Sequence, residues 1–133
     1  MIITHVKYWK SILWSVLICI LLFIPGNRLP SRQFFNIPGL DKIIHLVLFL
    51  VLEWLILYER GIKIILYHLI SVLKITFFAL AFAIITELIQ HYLILERKGS
   101  IDDLIMDIIG IFIGVLVYDT FYRLTNRFSR LKS

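Results

Sequence analysis

Apolar residues dominate four stretches of this chain, roughly 9–25, 43–58, 75–95 and 104–122, while the segments between them carry most of the charge. The first run holds Trp14, Leu17, Ile20 and Leu22 and stops at Pro25-Gly26, a strong helix terminator. Lys7 and Lys10 precede it, as they would a signal peptide. Ile24-Pro25-Gly26-Asn27 offers no small-x-small cleavage site, so the run is expected to stay as a first span. The second run follows Pro38-Gly39 and begins at Asp41. Before the third lies the stretch 62–74, where Lys63, Tyr67, Ser71 and Lys74 recur at helical spacing. One polar stripe on an apolar helix predicts a segment at the membrane interface, or a long helix protruding from the bilayer. The fourth run starts near Ser100 and ends at the basic tail Arg123, Arg127, Arg130, Lys132. The pattern predicts an all-α, polytopic membrane protein: four transmembrane helices in a bundle, an interfacial amphipathic segment before the third, and a single domain over 1–133.

Composition supports that reading. The chain is 60% hydrophobic with a net charge of +5, and its mean hydropathy is +0.91. No nucleic-acid-binding motif accompanies the basic residues, which fall between apolar runs and suit lipid head groups instead. With an even number of spans, nine of the fourteen Lys and Arg residues lie on the side of the termini and five on the other. That asymmetry predicts both termini in the cytoplasm. Cys19, the single cysteine, excludes an intrachain disulfide.

Against this background Asp41, His45, Glu87, Gln90, Asp103, Asp107 and, more marginally, His91 stand out. Ionisable groups in lipid cost a few kcal/mol and persist when paired, hydrated or useful. At about 1.5 Å per residue, Glu87 and Asp107 lie about 10–12 Å inside the ends of their runs, and His45 and Gln90 about 6 Å. Three runs thus direct polar groups to the outer half of the membrane. Asp103, Asp107, Gly110 and Gly114 share one helix face, as do Ala79, Ala83, Glu87 and Gln90. Small residues on both faces predict that spans three and four pack together, with the acids lining an outward-opening polar cleft.

The ordered pieces Asp41-Lys42-x-x-His45, Glu87-x-x-Gln90 and Arg97-x-Gly99-Ser100-x-x-Asp103-x-x-x-Asp107-x-x-Gly110 resemble the VanZ family, named for a teicoplanin resistance protein, over roughly residues 38–115. The resemblance implies a small bacterial membrane protein of four helices, linked to low-level resistance to teicoplanin but not vancomycin. Two departures stand out: many members have Asn where this chain has Asp107, and many have a small residue near Glu53.

Structural alternatives accompany each residue. Asp41 after Pro-Gly is placed as a helix N-cap, and Ser100-x-x-Asp103 reads as a capping box. Lys42 is placed to snorkel to head groups. Glu87 and Asp107 lie far from helix ends, so capping is closed to them, and an interhelical hydrogen bond is their structural alternative. His45 with Glu87, His91, Asp103 and Asp107 has the donor types of a metal site, but no compact motif such as His-Glu-x-x-His is present, so neither metal nor cofactor is assigned. Arg97 and Lys98, with Arg28 and Arg32, have the chemistry to grip an anionic phosphate. Glu53 is expected to pair with a basic or hydroxyl group in the bundle, or to be protonated, and the sequence names no partner for it.

Glu87, His45 and Asp107 are therefore the candidate acid–base groups, and Asp41, Gln90, Arg97, Ser100 and Asp103 the candidate substrate-binding groups. The expected partners are the bilayer and an anionic lipid head group, a lipid-linked cell-wall precursor or a glycopeptide. Three functions stay open: envelope protein limiting teicoplanin-like drugs, membrane enzyme on a lipid substrate, or oligomeric proton-coupled transporter.

Overall fold

A computed structural model describes residues 7–25, 39–63, 65–94 and 99–130. Four α-helices and one 3-10 turn make up the described residues: α1 (Trp9–Phe23), α2 (Leu40–Arg60), the 3-10 turn Leu66–His68, α3 (Leu69–Leu93) and α4 (Ile101–Arg130). The fold is all-α. α3, and α4 as far as Arg127, are long and apolar enough to cross a membrane. α1 is apolar but shorter, at 15 residues. α2 has 21 residues and carries Asp41, Lys42, Glu53, Glu59 and Arg60. Among the described residues just ahead of α3 the chain makes only the 3-10 turn, so the polar stripe from Ser71 to Lys74 belongs to α3 and not to a separate interfacial helix.

Glycine and a cross-helix carboxylate set the ends. Gly39 and Gly61, at φ +85° and +73°, occupy the left-handed region on either side of α2. Gly61 and Ile62 return their N–H groups to the carbonyls of Tyr58 and Leu57, satisfying orphan acceptors of the last turn. The start of α1 has no side-chain cap of its own. Glu59 supplies one from α2: its carboxylate accepts the backbone N–H groups of Lys10 at 2.9 Å and Ser11 at 3.1 Å, and the Ser11 hydroxyl. Negative charge at a helix N-terminus is favourable, so this contact closes α1 and ties it to α2 together.

The helices alternate in direction. Ser11 meets Glu59, so α1 runs against α2. Glu53 meets Thr76 while His45 lies near Glu87, so α2 runs against α3. α2 and α4 run the same way, because Lys42 meets Asp102, His45 meets Asp107 and Trp54 meets Tyr118.

Sequence reasoning paired the small residues of the third and fourth runs. The structure corrects this: Gly110 and Gly114 face α2. A Cβ on Gly110 would lie 2.2 Å from the Leu46 carbonyl oxygen, and one on Gly114 would lie 2.7 Å from that of Leu50. The glycines therefore let α4 lie directly against the α2 backbone, where packing replaces the hydrophobic drive that lipid removes. Ala79 and Ala83 serve a different contact, packing with Ile18, Leu48, Phe49, Leu52 and Ile111 in the central core. A second cluster, Leu57, Ile62, Val72 and Tyr118, fills the opposite end. The outer faces are apolar: Leu13, Val16, Phe77, Phe78, Phe112 and Leu116 are all exposed. A surface of this kind is covered by lipid or a partner.

Candidate functional site

The cluster forms where the N-terminal halves of α2 and α4 meet the C-terminal half of α3. α2 brings His45 and α4 brings Asp107, with Nδ1 of the imidazole 3.0 Å from Oδ1 of the carboxylate. The glycine contact one turn further along holds the two backbones close enough for this pairing. Both side chains are sealed, at 1% and 0% exposure. α3 brings Glu87, which is 8% exposed. One ligand-type atom each from His45, Glu87 and Asp107 lies within 4.8 Å of the other two. Helical spacing put Glu87 and Asp107 on faces that do converge, and depth alone put His45 at the same end of the bundle. The predicted open cleft is instead an enclosed cluster: α3 and α4 do pack together, as expected, and α2 closes over the polar side chains that they share.

Its polar atoms are incompletely satisfied. Among the described residues, both oxygens of Glu87 and Oδ2 of Asp107 are buried without a hydrogen-bond partner. The Ser100 backbone N–H lies near the Glu87 carboxylate without closing a hydrogen bond to it. Leaving such a group unpaired in a low-dielectric interior costs about 1–3 kcal/mol, and more if it is charged. Gly99 packs against Glu87 so tightly that a Cβ there would meet the Glu87 carbonyl oxygen and Oε1 at 2.7 Å. Beside Glu87 a cavity of about 230 Å³ opens, lined by Ile84, Leu88, His91, Ser100 and Leu104 among others. A cavity of about 1120 Å³ lies between α1 and α3 away from this cluster and is lined mainly by apolar side chains such as Ile12, Val16 and Phe78.

The remaining candidates divide. Asp103 is buried and, with exposed Asp41, forms a second group that shares His45. Gly39, not Asp41, holds the N-cap position of α2, so Asp41 sits in the first turn instead of capping it. Ser100 does cap α4, accepting the Asp103 N–H at 3.1 Å. Gln90 is buried away from the cluster, donating to the Leu22 carbonyl at 2.9 Å and linking α3 to the end of α1. His91 is directed elsewhere, with Nδ1 3.3 Å from the Gly99 carbonyl oxygen. Arg97, with Lys98, Arg28 and Arg32, lies outside the described residues.

Three contacts escaped the sequence. Lys42 reaches across to Asp102 at 2.6 Å instead of extending to head groups. Glu53, fully buried, accepts a hydrogen bond from the Thr76 hydroxyl at 2.8 Å, while its other oxygen has no partner. Glu59 caps α1 in trans. Periodicity would have found the Glu53–Thr76 pair only with the register of α2 against α3 in hand.

No curated protein and no solved structure matches the chain. The family model for VanZ/LLP1 matches residues 5–122, a stretch that contains the whole cluster and all four helices' apolar portions. With two helices able to cross a bilayer and an apolar exterior, this is a membrane protein, and the chain belongs to the VanZ/LLP1 family.

Proposed function

We propose that the chain is a four-span protein of a bacterial cell membrane, both termini cytoplasmic, whose His45–Glu87–Asp107 centre alters the envelope so that teicoplanin-type glycopeptides act less effectively. One observation carries the functional weight of that centre: three buried carboxylate oxygens on two helices have no partner among the described residues. Structural acids in lipid are normally satisfied by neighbouring helices, so an unsatisfied set argues for a group that meets something beyond the chain. The topology draws support from the fold. α1 begins, α2 ends and α4 ends at one pole, and Lys10, Arg60, Lys63 and Arg123 gather there. The centre lies toward the opposite pole, the outer side under the positive-inside rule.

The test is drug susceptibility in a host expressing wild type or Glu87→Gln at matched membrane levels. Protection against teicoplanin but not vancomycin, lost in the variant, is the expected result. Equal protection by both proteins makes Glu87 structural, and no protection by either removes the resistance reading.

The cavity at Glu87 favours a second reading, a membrane enzyme acting on a lipid head group or a lipid-linked cell-wall precursor. Glu87 faces the cavity and would exchange a proton with the substrate, while Asp107 orients the His45 ring behind it. Turnover of a lipid in detergent, abolished by Glu87→Gln, is required. A stable wild type inert on a broad lipid panel rules it out.

A further inference from the structure

We infer that His45, Glu87 and Asp107 bind a divalent transition-metal ion. The residue set lacks any compact sequence motif, yet α2, α3 and α4 each contribute one donor and bring the three within 4.8 Å of one another. Imidazole and carboxylates bind zinc at about 2.0–2.2 Å, so ligand atoms on a tetrahedral ion stand about 3.3 Å apart. No hydrogen bond from the described residues holds either Glu87 oxygen or Oδ2 of Asp107, which leaves these three oxygens open to an ion.

Charge and hydrogen bonding both select a cation. With a neutral imidazole, two ionised carboxylates leave two negative charges in a lipid-embedded interior, and one divalent ion cancels them. Protonation would remove charge, but a metal ion satisfies several oxygens together: no donor among the described residues reaches either Glu87 oxygen or Oδ2 of Asp107. A metal ion satisfies the unpartnered oxygens of both acids in one step. Asp103, buried and within the same 4.8 Å limit of His45, stands where an outer carboxylate commonly orients a metal-bound imidazole. Three protein donors leave a fourth position, and a cavity of about 230 Å³ borders Glu87. Metal-binding sites with an open position are the reactive kind, so this inference extends the enzyme reading without depending on it. Its test reads metal and not resistance, so the two stand or fall separately.

The full chain, purified in detergent with a tag free of histidine, is stripped with chelator and titrated with Zn²⁺ and, in parallel, with Mn²⁺ and Co²⁺. Wild type is expected to retain about one metal ion per chain through gel filtration, and bound Co²⁺ to show d–d bands of a site with nitrogen and oxygen donors. Glu87→Gln removes one ligand and one buried charge. It should keep the wild-type helix content by circular dichroism while its affinity falls at least about 10-fold, the lower range for disturbing a metal site. Asp102→Asn, in an exposed ion pair outside the group, should bind as wild type does. Stripped wild type that binds none of the three ions stoichiometrically overturns the inference. So does a folded Glu87→Gln that binds as tightly as wild type.

Discussion

Gly110→Ala tests the feature that assembles the site. The new Cβ would sit 2.2 Å from the Leu46 carbonyl oxygen, 3.0 Å from its carbon and 3.1 Å from the Leu46 Cα. Comfortable contact needs about 3.4 Å or more, so α4 must retreat from α2 by about 1 Å. All three clashing atoms are backbone, and no side chain can rotate away to absorb the strain. Overpacking of this kind typically costs about 1–3 kcal/mol, which is several degrees of melting temperature for a chain of this length. The same retreat stretches the 3.0 Å contact between His45 and Asp107, one turn away, toward the limit of hydrogen bonding. Thermal unfolding in detergent, followed by tryptophan fluorescence, is the assay, with Ile109→Ala on the exposed face of α4 as control. Gly110→Ala should melt several degrees below wild type, Gly114→Ala by less, since its Cβ meets Leu50 at 2.7 Å, and the control within error. A Gly110→Ala protein that melts with wild type would refute close backbone contact between α2 and α4.

Thr76→Val should destabilise the chain by about 1–3 kcal/mol in the same assay, because it strips Glu53 of its hydrogen bond and leaves a buried carboxyl unpartnered. Gln90→Leu, which removes the link from α3 to the Leu22 carbonyl, should cost only about 0.6 kcal/mol, the mean for hydrogen bonds between membrane helices. Lys42→Met should lie within about 1 kcal/mol of wild type at low and high salt, since the Lys42–Asp102 pair is solvent-exposed. Glu59 predicts a pH dependence: burial pushes its carboxyl up, but the Ser11 hydroxyl, the Lys10 and Ser11 N–H groups and the Lys10 charge outweigh this and hold it below its ordinary value. A depressed carboxylate stabilises the fold above its unfolded value and loses that contribution as pH falls through the folded one. Wild type should therefore lose stability relative to Glu59→Gln on acidification below about pH 4.5, measured by paired melting curves.

The family pieces were legible in the order of residues, and so was the gathering of His45, Glu87 and Asp107 at one end of the bundle, because the rise per residue fixes how deep each lies. Asp41 shows the limit of local reasoning: Pro-Gly signals a helix start, but Gly39, free to adopt a positive φ, took the cap two residues earlier. The sequence by itself determined the helices and their apolar surfaces, since a run of apolar residues has one low-energy conformation in lipid, with every backbone hydrogen bond made inside the helix. Tertiary structure decided which faces meet. Small residues license close approach without naming the partner, so Gly110 and Gly114 fit α3 as well as α2 on paper. Only the full packing brought α4 against α2, enclosed the three polar side chains and left their oxygens unpaired.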